Sequence, residues 1–303
     1  MHANLRTAKK HTKAKTFADN RQHVILEAIA QHCRQPQHDL FQLRLTQPEP
    51  LLQRCERRQH VRLHAEAQHR RVPQHHLLQL RLAQPKPRPL GLATGRTMEP
   101  LYGALVARLQ RWPQPQLEQL RRHWLSFNLD DYVGLRAGDP SGYGAYMQKH
   151  LGQPLGLGPQ QLCVPQADAA DPPAAAQAYQ QRLAAAGGVG VQLLGLGSNG
   201  HVGFNEPPCS AQVGCRVVQL SAATRAQNAG LFGGDPQQVP EAAITLGLKE
   251  ILEATEIHLV VTGSGKAAIL QKLLQEGPSE QLPASWLRQH GRVWLWVDRA
   301  AMG

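Results

Sequence analysis

The sequence predicts an α/β protein built on a doubly wound, mostly parallel sheet of the Rossmann-like class. Three observations predict it. From residue 88 onward apolar runs of strand length alternate with segments of helical periodicity, the turns between them are short and glycine-rich, and polar residues follow the strand ends. Ligands of open parallel sheets bind beyond the carboxyl ends of the strands, so we expect a crevice lined by these polar residues.

Composition divides the chain into an extension, residues 1–87, and one domain, residues 88–303. The extension holds 16 Lys and Arg against 6 Asp and Glu, whereas the domain holds 17 against 16. Ten of the fifteen histidines also lie in the extension. The net charge of +11 therefore belongs to the extension, and a nearly neutral domain is not typical of a nucleic-acid-binding fold.

The extension contains a repeat in two copies. Residues 21–50 align without gaps on residues 58–87, with 21 of 30 positions identical. A solenoid needs about three stacked units to bury a continuous core, so two copies do not predict one. We expect a disordered or weakly helical tail, with histidine-rich metal binding and nonspecific attraction to nucleic acid as the alternatives.

Cysteine usage and hydropathy predict a cytoplasmic protein that does not enter membranes. The five cysteines are scattered and form no CxxC pair, which is typical of reduced thiols. No apolar run approaches the roughly 20 residues that cross a bilayer, and the first 30 residues lack a signal-peptide core. The basic, acid-poor start resembles a transit peptide only weakly.

The first strand–turn–helix unit predicts an anion site. A buried strand at residues 90–93 runs into Thr94, Gly95, Arg96 and Thr97, and a helix with Pro100 in its first turn follows at residues 98–111. Free backbone N–H groups and the positive end of the helix would face a bound anion there. Phosphate is the anion we expect.

The second unit places two carboxylates at a strand end. Residues 123–135 read as one strand that runs into Asp130 and Asp131. Adjacent side chains on a strand point to opposite sides, so only one of the two is expected to face the crevice. We choose Asp130, which lies nearer the strand end. Helices at residues 143–151 and 168–186 then lead to the central strand.

The central unit carries the residues best suited to proton transfer. A buried strand at residues 189–196 runs into a turn with glycines at positions 195, 197 and 200, where the chain needs positive φ or close backbone approach. His201, Asn205 and Glu206 follow at once. An imidazole beside a carboxylate can both accept and donate protons near neutral pH.

The last third of the domain continues the alternation. The predicted elements are a strand pair within residues 210–220, helices at 222–230 and 243–252, strands at 256–261 and 293–297, and a helix opening at 267. The turn from Thr262 to Lys266 reads TGSGK, but the P-loop frame is absent and Ala267 replaces the magnesium-binding hydroxyl. We therefore expect a lysine that contacts a sugar phosphate rather than a nucleotide triphosphate site.

Six segments in fixed order give the domain a family resemblance: LGLATGRT, SFNLDDYVGL, LGLGSNGHVGFNEP, ITLGLKEIL, VVTGSGK and LPASWLRQH. Together they resemble the glucosamine-6-phosphate deaminase (isomerase) family, relatives of 6-phosphogluconolactonase, over about residues 89–300. The lactonases resemble the fold without sharing this pairing of FN-x-D-[DE]-Y with NGH-x-x-FNEP. The extension has no counterpart in the family, and the strand and helix that usually precede the TG loop are missing or replaced.

The resemblance implies a reaction and a set of residues. Family members open the ring of glucosamine 6-phosphate, take the C2 proton, return a proton to C1 and release the amine, which yields fructose 6-phosphate and ammonia. The resemblance implies a hydrolase of amino sugar metabolism that needs neither a metal nor an organic cofactor. The implied residues are Asp130 as the base at C2, His201 as the ring-opening acid and base, Glu206 as its orienting partner, Asn199 at the relay position, and Thr94, Gly95, Arg96, Thr97 and Lys266 around the phosphate.

Two departures from the family pattern matter for function. Asn199 replaces an acid, and an amide can orient a histidine but cannot share its proton. Gly230 stands where a phosphate-binding arginine is often found, with Arg225 or Arg96 as the possible substitutes. The segments associated with allosteric control are absent from the pattern, so we expect no activation by an acetylated amino sugar phosphate.

The sequence leaves several functions open. Galactosamine 6-phosphate is an alternative substrate, and a sugar-phosphate-binding regulator without turnover is an alternative role. Nucleic-acid binding through the basic extension, with the domain as a passenger, is a third alternative that we do not favour. The partner we expect is a small amino sugar phosphate, and the sequence does not predict the oligomeric state.

Overall fold

The computed structural model describes residues 40–44 and 88–303. Its strands, in chain order, are β1 (Leu40–Arg44), β2 (Leu90–Leu92), β3 (Ser126–Asn128), β4 (Asp130–Tyr132), β5 (Leu162–Cys163), β6 (Val191–Gly195), β7 (Arg216–Gln219), β8 (Ala242–Thr245), β9 (Glu256–Val261) and β10 (Val293–Asp298). Its α-helices are α1 (Glu99–Leu109), α2 (Gln114–His123), α3 (Tyr143–Met147), α4 (Gln153–Leu155), α5 (Pro172–Ala185), α6 (Ala222–Asn228), α7 (Leu248–Leu252), α8 (Ala267–Gln275) and α9 (Arg299–Met302). A π-helical turn, Gln148–Gly152, joins α3 to α4, and 3₁₀ turns occupy Ala229–Leu231, Ser264–Lys266 and Pro283–Gln289.

A seven-stranded sheet forms the centre of the domain, in the order β1-β10-β9-β6-β2-β3-β5. The strands from β10 to β5 are parallel, and β1 runs antiparallel to β10. All six residues of β9, EIHLVV, are buried, as expected of a strand that is covered on both faces. The predicted α/β class with a mostly parallel sheet is confirmed.

The carboxyl ends of β2, β3, β6 and β9 form one edge, and the strands there are neighbours in the sheet. The turns after these strands begin at Ala93, Leu129, Leu196 and Thr262. The sequence predicted strands here at residues 90–93, 189–196 and 256–261, and the structure has β2, β6 and β9 at these positions. The predicted crevice edge therefore exists, and its loops carry the residues discussed below.

The single strand predicted at residues 123–135 was wrong, because the segment divides between two sheets. Leu129 donates its N–H to Leu92 O in the large sheet, at 3.0 Å, while its carbonyl accepts from Leu246 N at 2.7 Å. From Asp130 onward the chain pairs instead with β8, in an antiparallel sheet ordered β4-β8-β7. Burial on both sides hides such a change of partner from sequence, since every residue of both strands is buried.

Two further element predictions were wrong in part. Residues 210–220 supply one strand, β7, rather than a pair, and residues 243–252 begin as β8 before α7. A four-residue apolar run is too short for periodicity to separate strand from helix. Gly247 marks the break, because a Cβ atom there would collide with the backbone of Val213 and Gly214.

A second, smaller core packs the three-stranded sheet against the central loop. Tyr132 of β4 contacts Tyr143 and Phe204, with ring centroids 5.0 and 5.5 Å apart. The hydroxyls of Tyr132 and Tyr143 are 3.1 Å apart, so they share a hydrogen bond inside this cluster. These contacts fix β4, and with it Asp130, against residues 202–206.

Strand β1 is the one part of residues 1–87 that the structure describes. It pairs antiparallel with β10, with Leu40 opposite Asp298 and Arg44 opposite Trp294. It lies in the first copy of the sequence repeat. The expectations of a disordered tail, of histidine-rich metal binding and of a transit-like start fall otherwise on residues outside those described.

Candidate active site

Glycines shape the loop that presents His201. Gly200 adopts φ +83°, a left-handed conformation that favours glycine, and its N–H donates to Gly197 O at 3.0 Å. A Cβ atom at Gly197 would lie closer than 3.0 Å to three atoms of the His201 ring, and one at Gly200 would collide with Leu282. The glycine spacing in the sequence thus makes room for a buried imidazole.

A chain of hydrogen bonds ties His201 to Glu206 through Asn199. Nδ1 of His201 lies 2.6 Å from Oδ1 of Asn199, and Nδ2 of Asn199 donates to Oε1 of Glu206 at 3.2 Å. An amide oxygen only accepts, so Nδ1 of the imidazole must carry the hydrogen. In the neutral ring Nε2 then carries a lone pair, and no group in residues 88–303 donates a hydrogen bond to it.

Helix α6 anchors the far end of this chain. Glu206 accepts hydrogen bonds from Ser221 N at 3.0 Å, Ser221 Oγ at 2.7 Å and Thr224 Oγ1 at 2.6 Å. Burial alone would raise the pKa of Glu206, but the hydrogen bonds from Thr224 and Ser221, together with the nearby His201, outweigh burial and lower it. Glu206 is therefore a carboxylate at neutral pH.

The electrostatics of the site keep His201 neutral. Burial lowers the pKa of His201, the negative charge of Glu206 opposes this and the positive charge of Lys266 adds to it, and the net result is a pKa of about 4. His201 is buried, with 8% of the residue exposed. A neutral imidazole with an open Nε2 can act as a proton acceptor at neutral pH.

Asp130 lies beside the same loop, next to Gly203, which is two residues beyond His201 in the chain. A Cβ atom on Gly203 would be 3.3 Å from Oδ2 of Asp130 and 3.1 Å from Oγ1 of Thr245, so the absence of a side chain at Gly203 leaves space for the carboxylate. Among the described residues none donates a hydrogen bond to this carboxylate. Burial, and then the charge of Asp131, raise the pKa of Asp130 well above its usual value.

Asp131 points away from this position and has a different environment. Its Oδ1 accepts from the backbone N–H of Tyr132 at 2.8 Å and of Tyr143 at 3.0 Å. Burial raises the pKa of Asp131 to about 6, even though these hydrogen bonds act in the opposite direction. The two carboxylates therefore have different partners, and the placement of Asp130 at the crevice stays a prediction.

Two strand–turn–helix loops meet beside His201 and form a cationic corner. Oγ1 of Thr97 lies 3.4 Å from Oγ1 of Thr262, which joins the loop after β2 to the loop after β9. Burial, and then the charge of Arg96, lower the pKa of Lys266, so the two cations repel each other. Backbone amides, two hydroxyls and two cations at one corner suit an anionic group.

The backbone bend in this corner lies at Gly95. It adopts φ +102°, and its carbonyl accepts from Met98 N at 2.9 Å and from the hydroxyl of Tyr146 at 2.9 Å. The preceding residue, Thr94, interacts with Tyr143. These contacts hold the predicted turn from Thr94 to Thr97 rigid, with the backbone bent at glycine.

The structure links some of the predicted residues directly and others only through their charges. Hydrogen bonds join His201, Asn199 and Glu206. The charge of Lys266 acts on His201 and that of Arg96 on Lys266, while Asp130 lies against Gly203 without a hydrogen bond to His201. Sequence reasoning missed Ser221, Thr224, Thr262 and Tyr146. The Ser-x-x-Thr spacing of residues 221–224, a signature of a helix start, was the one available signal.

Gly230 stands where the family often has a phosphate-binding arginine, and the structure distinguishes between the two possible substitutes, Arg225 and Arg96. A Cβ atom at Gly230 would meet nothing within 4 Å, so this position is open. Arg225 lies 3.7 Å from Glu241 and is therefore paired with an acid. Arg96 follows the turn glycine Gly95 and its charge acts on Lys266, which favours it over Arg225 as an anion contact.

The described residues contain neither a cluster of metal ligands nor a membrane-spanning helix. Within residues 40–44 and 88–303, no three His, Cys, Asp or Glu side chains cluster as metal ligands would. In the same ranges no helix combines the length and hydropathy needed to cross a membrane. Cys163, Cys209 and Cys215 are free thiols.

Known proteins resemble this chain over most of the domain. Residues 63–296 match the family model described as glucosamine-6-phosphate isomerases/6-phosphogluconolactonase, so the match begins 25 residues before position 88. Glucosamine-6-phosphate deaminase 2 of Bacillus subtilis (strain 168) is 39% identical over 214 residues, 70% of this chain and 84% of that protein. Glucosamine-6-phosphate deaminase of Oceanobacillus iheyensis is 41% identical over 219 residues, 70% of this chain and 83% of that protein.

Solved structures agree with the sequence comparisons. A monomeric glucosamine-6-phosphate deaminase superposes with a TM-score of 0.64 at 36% identity, over 72% of this chain and 88% of that protein. A 6-phosphogluconolactonase from Leishmania guyanensis shares the fold at 21% identity, with a TM-score of 0.53 over 70% of this chain and 85% of that one. With the fold, the strand-end loops and the extent of these matches in agreement, this chain belongs to the family of glucosamine-6-phosphate isomerases and 6-phosphogluconolactonases.

Proposed function

We propose that this chain converts glucosamine 6-phosphate and water to fructose 6-phosphate and ammonia, by isomerisation coupled to deamination. The observation that carries the proposal is a neutral imidazole with an open Nε2 beside the cationic corner, on a loop whose Gly203 lies against the desolvated carboxylate of Asp130. Relatives about 40% identical over 70% of the chain are named for this reaction. Because water is consumed and a C–N bond is broken, the enzyme would be a hydrolase.

The anionic tail of the substrate would bind at the cationic corner. In the proposal Lys266 and Arg96 provide the charge, while the hydroxyls of Thr94 and Thr97 and the backbone amides at Gly95 provide the hydrogen bonds. The paired loops point this way, since Thr97 and Thr262 are only 3.4 Å apart. A phosphate held here would fix one end of the open-chain sugar and orient the reacting carbons.

His201 would open the ring. Its lone pair on Nε2 takes the proton of the anomeric hydroxyl, and the imidazolium then returns a proton to the ring oxygen as the C1–O5 bond breaks. Asn199 and Glu206 hold the ring in the tautomer that this step needs. The amide of Asn199 orients the imidazole without exchanging a proton with it.

Asp130 would then move the proton from C2 to C1. Its site disfavours charge, and the cationic amine of a bound substrate would stabilise the carboxylate form, so substrate binding itself prepares the base. The carboxylate takes the C2 proton while the ammonium group gives a proton to the C1 carbonyl oxygen, and the resulting carboxylic acid then protonates C1, which leaves an iminium at C2. Water adds to this iminium, and the C–N bond breaks with loss of ammonia to give the ketone.

Domain boundaries and location follow from the same proposal. Residues 88–303 would form the catalytic unit, and residues 1–87 would be accessory to it. Free thiols at Cys163, Cys209 and Cys215 support a cytoplasmic location, where thiols remain reduced. A small amino sugar phosphate would be the partner of the site.

An ammonia-release assay tests the function. The purified full chain is incubated with glucosamine 6-phosphate, with galactosamine 6-phosphate and with 6-phosphogluconolactone, and ammonia, fructose 6-phosphate and acid production are measured. We expect ammonia and fructose 6-phosphate in equal amounts from the first substrate. Release from galactosamine 6-phosphate alone would change the assigned substrate, and tight binding of both amino sugars without release would favour the regulator.

A further inference from the structure

The tautomer of His201 depends on groups that do not touch the imidazole. Glu206 sits at the end of the hydrogen-bond chain and accepts from four donors: Asn199 Nδ2, Ser221 N, Ser221 Oγ and Thr224 Oγ1. An ionised carboxylate can only accept. The NH₂ group of Asn199 must therefore face Glu206, and its oxygen must face His201.

One other contact supports this orientation, and it is as long as the contact to Glu206. The second contact of the Asn199 side chain is its oxygen accepting from the backbone N–H of His201 at 3.2 Å. An asparagine with the opposite orientation would present NH₂ to Nδ1, and the imidazole hydrogen would then move to Nε2. That alternative removes the lone pair from the atom that the proposed reaction uses.

Thr224 differs from the other donors in its surroundings. It is 2% exposed, whereas Ser221 is on the surface, and its Oγ1 makes the shortest contact to Glu206, at 2.6 Å. A buried hydroxyl that bonds a carboxylate in low dielectric contributes more than one that competes with water. The helix that carries Thr224 also carries Ser221, whose side chain accepts from Thr224 N at 3.2 Å.

We propose that Thr224, with Ser221, is a positioning residue for the reaction: it holds Glu206 in place, Glu206 orients the amide of Asn199, and that amide keeps the hydrogen of His201 on Nδ1. The inference rests on the proposed function for its catalytic consequence only. The tautomer itself is a property of the free protein, and it can be measured without substrate.

Nitrogen chemical shifts of the imidazole test this chain of contacts. Full-length protein with ¹⁵N-labelled histidine is compared with a His201→Gln variant to assign the resonances, and then with Thr224→Val, which keeps the shape and removes the hydroxyl. In the native protein we expect a protonated Nδ1 and an unprotonated Nε2. In Thr224→Val we expect a mixture of the two tautomers, and in Thr224→Ser, which restores the hydroxyl, the native shifts.

Turnover gives the second readout. We expect Thr224→Val to lower kcat about tenfold with a smaller change in KM, because a hydrogen bond to a charged group is lost. Thr224→Ser should recover most of kcat. Thr255→Val is the matched control, since Thr255 lies at the opposite end of the sheet, where it accepts from Arg88 at 3.3 Å.

The outcomes are distinct. Unchanged nitrogen shifts in Thr224→Val would overturn the inference even if the enzyme is active, and an equal loss of kcat in Thr255→Val would assign the effect to general destabilisation. If the native protein has the expected nitrogen shifts and Thr224→Val changes them, but the protein releases no ammonia, the inference about the tautomer stands and the proposed function is refuted.

Discussion

Replacing Gly197 by alanine should displace the imidazole of His201 without disturbing the backbone. A Cβ atom at this position would lie closer than 3.0 Å to three ring atoms, and ordinary contacts begin at 3.4 Å. The ring must therefore move by about 1 Å, because the Cβ atom is fixed to the chain and the side chain is not. Gly197 is not among the glycines with positive φ, so alanine fits its backbone conformation.

The size of the effect follows from that displacement. A misplacement of about 1 Å at a reacting group can cost about a hundredfold in rate. We expect kcat/KM of Gly197→Ala to fall about a hundredfold for ammonia release from glucosamine 6-phosphate. The loss should fall mainly on kcat, because the cationic corner at Lys266 is not altered.

The control is a glycine where a methyl group meets nothing. Gly103 lies exposed in α1, and a Cβ atom there would have no neighbour within 4 Å. Gly103→Ala should keep native kcat/KM and gain up to about 1 kcal/mol in the free energy of unfolding, because alanine favours helix. Native kcat/KM in Gly197→Ala, with native circular dichroism, would refute the importance of the ring position.

Two further predictions concern charge. Lys266→Met should weaken competitive inhibition by inorganic phosphate about 10- to 100-fold, since a charge-assisted contact is lost, and an unchanged inhibition constant would remove Lys266 from the anion site. The pKa of Asp131 is raised to about 6, so its ionisation costs the folded state stability as pH rises from about 4 to 6. Asp131→Asn, whose side-chain oxygen can still accept from Tyr143, should lose this pH dependence of stability. If denaturant titrations give the same change in stability between pH 4 and 6 for the native protein and for Asp131→Asn, the raised pKa of Asp131 is contradicted.

The sequence predicted the parallel sheet and the position of its reactive edge because the signals there are local. Buried strands of five or six residues, such as β6 and β9, stand out as apolar runs, and the glycines after them mark the turns. Asp130, His201 and Lys266 were predicted as site residues because each follows a buried apolar run. The strand-end rule therefore gave a site prediction before any side-chain geometry was known.

What the sequence did not predict depends on contacts between distant segments. The split at Leu129 needs the partner strand β8, which lies more than a hundred residues further along the chain. The role of Thr224 needs Glu206, 18 residues away and on another element. Short strands such as β5 and β8 also carry too few residues for a period to be read.

The most direct test of the account is a comparison of Asp130→Asn with Asp131→Asn. Both variants replace one buried carboxylate by an amide, but only the first removes the proposed base. The account predicts that Asp130→Asn lowers kcat for ammonia release by about 10² to 10⁴ while glucosamine 6-phosphate still binds, and that Asp131→Asn keeps kcat within a few-fold. Near-native kcat in Asp130→Asn, or equal losses in the two variants, would contradict it.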